Sequence, residues 1–102
     1  MKIWVDDVRP ASEGYTRWAR SVNEAKEIIE LFETFAESAS IELIDLDYDS
    51  GDYEKDGGPY IKLMDWLVER GTLYPLAFHS QNCVGMEYMK RMYRRYWLGE
   101  SL

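Results

Sequence analysis

The spacing of apolar residues changes along the chain and marks out alternating strands and helices. Lys2 to Val5 (KIWV) is a short apolar run halted by Asp6-Asp7, and Arg9-Pro10, Ser12 and Gly14 then mark a loop. Tyr15 to Ala19 (YTRWA) has the length and the aromatic and Thr content of a brief edge strand. Ser21-Val22-Asn23-Glu24 has the form of a capping box. Behind it, Val22, Ala25, Ile28, Ile29 and Phe32 recur at helical spacing, with Glu24, Lys26, Glu27 and Glu30 between them, so the pattern predicts an amphipathic helix that frays between Glu33 and Ser40.

Ile41 to Leu46 (IELIDL) is apolar on both parities, as expected of an interior strand covered on both faces, and breaks into the polar run Asp47 to Asp52. Pro59 suits the first turn of a helix, because its missing N–H would have no partner there. Tyr60, Leu63, Met64, Leu67 and Val68 continue that helix as an apolar stripe, and Gly71 closes it. Leu73 to Phe78 (LYPLAF) predicts another strand, with Pro75 near its start, ending at His79-Ser80-Gln81-Asn82. Val84 to Leu98 reads as a last helix, with Met89, Met92, Tyr93, Tyr96 and Trp97 on one side and Lys90, Arg91, Arg94 and Arg95 on another.

Strands and helices that alternate across short loops imply parallel pairing and right-handed crossovers. The expected fold is a small doubly wound, mostly parallel four-stranded α/β sheet with helices on both faces. Its first connection is abbreviated, because the segment after Val5 is too short and too rich in turn residues for a full helix.

Composition narrows the class. A chain of 102 residues fits one domain, 1–102, and 46% apolar residues with four Trp, eight Tyr and three Phe can build a core unaided. The lone Cys83 excludes an internal disulfide, and the chain shows neither a signal-peptide pattern nor a membrane-spanning run, so the expectation is a soluble, cytoplasmic protein with no membrane partner. A net charge of −7 argues against general nucleic-acid binding. It does not argue against a small phosphorylated substrate, because a divalent cation in an acidic pocket presents local positive charge to a phosphate.

Ligands of open α/β sheets bind beyond the carboxyl ends of the strands, and three predicted strands end there in Asp6-Asp7, Asp47-x-Asp49 and His79-Ser80. Carboxylates on neighbouring strand ends, about 4.8 Å apart, can share a cation. As a lone histidine at a strand end, His79 suits acid–base chemistry or a phosphate contact, or else braces the loop. Ser80 and Asn82 can donate to a phosphate or cap the last helix, and Arg9 can clamp a phosphate or pair with Asp6 or Asp7. Asp45, inside a strand, needs a partner or a partly exposed position. The basic residues of the last helix suit its C-terminal dipole, and Trp97 and Leu98 are where a homodimer contact would run.

MKIWVDDVRP, SVNEA, LIDLDYDSGDY, LMDWLVERG and FHSQNCVGMEYMKR, in that order, resemble the cyclic-phosphate processing receiver-like domain family along nearly the whole chain. The resemblance implies a receiver-like, flavodoxin-type sheet and a phosphate-directed site formed by Asp6, Asp7, Arg9, Asp47, Asp49, His79, Ser80 and Asn82. Tyr48 stands where the family usually has a histidine, and a phenol is a poorer base at neutral pH than an imidazole. The fifth strand and lysine of signalling receivers have no counterpart.

The combined expectation is a metal-dependent phosphoesterase-like domain in which Asp6, Asp7 and Asp47 hold Mg²⁺ or Mn²⁺. Asp49 or His79 would handle protons, while Arg9, Ser80 and Asn82 would contact a cyclic phosphate. The alternatives are a phosphoacceptor or protein-interaction module with Asp47 as the accepting carboxylate, and a non-catalytic binder.

Overall fold

The computed structural model describes residues 1–35 and 40–100. Four strands, β1 (Lys2–Val5), β2 (Arg17–Ala19), β3 (Leu43–Leu46) and β4 (Leu76–Phe78), form one sheet in the order β2-β1-β3-β4. All three pairings are parallel. The helices are α1 (Val22–Phe35), α2 (Ile61–Arg70) and α3 (Cys83–Tyr96), and a short 3₁₀ turn spans Gly51–Tyr53.

The local signals act as their chemistry requires. The Ser21 hydroxyl accepts from the Glu24 N–H at 3.0 Å and starts α1, although Glu24 reaches back to the Arg20 N–H rather than to that of Ser21. Gly71 ends α2 in the left-handed conformation at φ 73°, donating its N–H to the Leu67 and Val68 carbonyls. The expected fraying after Glu33 lies largely outside the described residues; α1 is helical through Phe35. Strands β2, β3 and β4 are each shorter than the apolar runs that announce them, because only their last residues pair.

Register divides the sheet into two unlike faces. Ile3, Val5, Ala19, Ile44, Leu46 and Leu76 fall on one face and join a single core with Val22, Ala25 and Ile29 of α1, Leu63, Met64 and Leu67 of α2, and Met89 of α3. Trp4, Trp18, Asp45 and Ala77 fall on the other. The expectation of helices on both faces is therefore corrected: the three helices cover one face only.

Crossover handedness explains the asymmetry. The β2→β3 and β3→β4 connections step in the same direction across the sheet, so right-handed crossovers put α1 and α2 on the same side. The β1→β2 connection steps the opposite way and must pass over the other face. The winding is thus double, but the crossover on the second face is the loop of residues 6–16. That loop keeps Trp4 only 5% exposed, and the Trp4 indole donates to the Arg9 carbonyl at 2.8 Å. Among the described residues, no helix is long and apolar enough to cross a membrane.

Candidate functional site

Ladder hydrogen bonds run one residue past the strand ends: the Asp47 N–H donates to the Val5 carbonyl and the His79 N–H to the Leu46 carbonyl, each at 2.9 Å. This lines up Asp6, Asp47 and His79 along one rim of the sheet. Asp6, Asp7 and Asp47 each present an oxygen, all within 4.8 Å of one another. Three carboxylates converging this closely would hold one divalent cation such as Mg²⁺, with water or substrate oxygens completing its shell.

Each carboxylate is held differently. Asp6, 2% exposed, accepts from the Val8 and Arg9 N–H groups through Oδ1 at 2.9 and 2.7 Å and faces His79 Nε2 through Oδ2 at 2.9 Å. A carboxylate offers about four lone-pair positions, so these three contacts leave Asp6 able to bind a cation. Asp47 accepts from the Tyr48 N–H at 2.7 Å through Oδ1. Asp7 lies over Gly51, where a Cβ would come within 2.2 Å of Asp7 Oδ2. Gly51 also has φ +52°, so conformation and space both ask for glycine at that point in the loop.

Burial and like charge both act on Asp7. Burial pushes the Asp7 carboxyl above the usual range, and the charges of Asp6 and Asp47 add to the effect against opposing backbone hydrogen bonds. The buried Tyr60 phenol is driven up first by desolvation and then by Asp7, Asp6 and Asp47; it donates to the Arg20 carbonyl at 2.5 Å. Among the described residues, no Lys or Arg forms an ion pair with the three acids. An all-carboxylate donor set with a glycine cradle fits a hard divalent ion, Mg²⁺ or Mn²⁺.

The remaining predicted residues fall into three sets. Both nitrogens of His79 are taken: Nδ1 faces Asp45 Oδ1 at 2.7 Å and Nε2 faces Asp6 Oδ2. Its ring stacks on Trp4, with centroids 3.7 Å apart and 9° between planes. Burial opposes the imidazolium, but the hydrogen bonds and charges of Asp45 and Asp6 outweigh burial and raise its pKa above the ordinary histidine value. Asn82 caps α3, its Oδ1 accepting from the Gly85 N–H at 2.9 Å, and its Nδ2 donates to Asp49 Oδ2 at 3.2 Å. The Ser80 hydroxyl oxygen accepts from the Asn82 N–H at 3.1 Å. Arg9 is exposed on the loop after the acids, and only its backbone joins the network.

Several contributors escaped sequence reasoning. Tyr15 donates to Asp45 Oδ2 at 2.5 Å, which with His79 meets the need for partners that Asp45 was expected to have. Trp4, Gly51 and Tyr60 gave no signal beyond ordinary core and turn chemistry. Tyr48, expected at the acidic motif as a poor proton carrier, instead lays its ring against Gly85 of α3 and packs on the core. Trp97 likewise turns inward, its indole donating to the Tyr74 carbonyl at 2.8 Å. An open groove of about 710 Å³, which none of the three acids lines, is formed by Tyr88, Tyr96, Ile61 and the Arg91, Arg94 and Arg95 side chains.

A family model described as the cyclic-phosphate processing receiver domain matches residues 1–95. The chain belongs to that family. Comparisons with curated proteins and with solved structures give no match. Membership in this receiver family accords with the sheet order and with an acidic cluster at the strand ends.

Proposed function

We propose that this receiver domain is a metal-dependent phosphoesterase acting on a small cyclic phosphodiester, with a 2′,3′-cyclic nucleotide end as the substrate class. The observation that carries the reading is the convergence of Asp6, Asp7 and Asp47 at the strand ends with no paired Lys or Arg among the described residues. The family description supports the substrate class. A divalent cation bound by these three acids would polarise a phosphoryl oxygen.

The chain's own residues then take distinct tasks. Asp49 is exposed, lies outside the cluster and is tethered by the Asn82 amide, so it is the carboxylate best suited to take a proton from an attacking water. Arg9, exposed on the loop that follows Asp6 and Asp7, would contact the phosphate through its guanidinium. Ser80 uses its oxygen as an acceptor toward Asn82, and its own proton remains available to a phosphate oxygen. His79, with both nitrogens engaged by carboxylates, serves Asp6 rather than the substrate.

Turnover of a panel of cyclic and linear nucleotide phosphates with Mg²⁺ or Mn²⁺ tests this reading, comparing wild type with Asp47→Asn and Asp49→Asn. Metal-dependent opening of a cyclic phosphate is expected, with a loss of about 10²-fold or more when the general base is removed. Absence of metal-dependent turnover across the panel sinks the enzyme reading. A stable phosphoryl adduct lost in Asp47→Asn, seen by intact mass after treatment with a small phosphoryl donor, would favour the phosphoacceptor alternative instead.

A further inference from the structure

Asp45 stands out because its position asks for an apolar residue. It sits within β3 between Ile44 and Leu46, only 8% exposed, and a carboxylate there is costly unless its oxygens are paired. Both are: Oδ2 accepts from the Tyr15 hydroxyl at 2.5 Å, and Oδ1 meets His79 Nδ1 at 2.7 Å. The other nitrogen of the same ring meets Asp6 Oδ2 at 2.9 Å. Four side chains from the first loop, β3 and the ends of β1 and β4 thus form one continuous line that terminates on a carboxylate of the acidic cluster.

We propose that Tyr15, Asp45 and His79 are positioning residues that hold Asp6 in place and thereby set the affinity of the acidic cluster for a divalent cation. The inference rests on the metal-binding reading above and extends it to residues outside the cluster.

Three observations support it. Trp4 fixes the plane of the His79 ring by stacking, and the Trp4 indole is itself anchored to the Arg9 carbonyl, whose residue donates its N–H to Asp6 Oδ1 at 2.7 Å. Two routes therefore converge on Asp6, one at each oxygen. Tyr15 packs edge-on against Trp4, with centroids 5.1 Å apart, so the phenol at the far end of the line is also fixed. Asp45 occupies Nδ1 of the imidazole, so the ring is held with its other nitrogen directed at Asp6 Oδ2. A carboxylate whose rotation is restrained in advance has less freedom to lose on binding, and loss of such supporting contacts typically weakens metal binding by about 10–100-fold.

Calorimetric titration of the full chain with Mn²⁺ alone, at fixed pH and ionic strength, provides the test. The proteins compared are wild type, Tyr15→Phe, Asp45→Asn, His79→Gln and the Asp45→Asn/His79→Gln double variant. Asp45→Asn is expected to weaken Mn²⁺ binding about tenfold, with a smaller loss for Tyr15→Phe. The double variant should bind no more weakly than His79→Gln alone, because Asp45 acts only through the ring. A merely structural Asp45 would give losses that add. Additive losses, or an unchanged affinity in Asp45→Asn, would overturn the proposal while leaving the metal site intact. If wild type binds no Mn²⁺, the metal reading falls and this inference falls with it. Should Asp45→Asn fail to fold, Tyr15→Phe decides, since it removes one hydroxyl and keeps the ring against Trp4; unchanged affinity there counts against the relay.

Discussion

The ring of Tyr48 occupies the space where Gly85 has no side chain: a Cβ at Gly85 would lie 2.3 Å from the Tyr48 ring atoms Cδ1 and Cγ. Two effects oppose each other in Gly85→Ala. Alanine outdoes glycine in a helix interior by about 1 kcal/mol and by less in a first turn, where Gly85 lies. Forcing an extra methyl into a packed contact costs about 1–3 kcal/mol, and here the obstacle is the root of an aromatic ring, which cannot swing aside without leaving the core. Overpacking should win, so Gly85→Ala is expected to lower the urea midpoint. Adding Tyr48→Ala should remove the penalty of the new methyl, which a double-mutant comparison of midpoints will read.

Asp7 carries an opposition between stability and binding. Its raised pKa means that folding disfavours the ionised carboxylate, so above its unfolded pKa the charge opposes the native state. Asp7→Asn is therefore expected to melt at a higher temperature than wild type at neutral pH without metal. The same variant should lose the stabilisation that millimolar Mg²⁺ or Mn²⁺ gives wild type, which amounts to about 2.7 kcal/mol for a ligand at 100 times its dissociation constant. Thermal melts with and without metal test both halves; a variant less stable than wild type in the absence of metal refutes the first.

His79 makes stability depend on pH in the opposite sense to a depressed carboxylate. Its folded pKa lies above the ordinary value near 6.5, so its contribution is fully present below that value and is lost as pH rises through the folded pKa. Without metal, the urea midpoint of wild type should fall more steeply between neutral and mildly alkaline pH than that of His79→Gln. As the chain has one histidine, its ring resonances in an NMR titration report the folded pKa without assignment ambiguity. A midpoint above 6.5 is expected, and one below it contradicts the carboxylate clamp.

The strand-end acids were readable because their chemistry interrupts an apolar pattern. Asp6-Asp7 stop a strand, Asp47 follows another, and a parallel sheet brings such ends to one rim. Asp45 was readable as a problem rather than as an answer: a charge inside a strand demands partners, but nothing in sequence spacing points to Tyr15, thirty residues earlier in an irregular loop. Tyr48 shows the converse. Its place in the acidic motif invited a chemical reading, while its orientation depends on a small residue in a distant helix. The face each helix covers is hidden for a similar reason, since periodicity marks a helix's apolar side and not the direction in which the chain crosses the sheet.

The loop of residues 6–16 serves both as a wall of the fold and as a scaffold for the site. It covers the face that the helices leave bare, and the same few residues anchor Asp6, Trp4 and Asp45. Most α/β proteins can lengthen or replace a strand-end loop to alter specificity while the layers beneath stay intact. Here an insertion would unroof Trp4 as it reshaped the acidic site. Variation in ligand preference is therefore easier through the loop after β3 and the turn before α3, and the first crossover is the segment where change of function and loss of fold are hardest to separate.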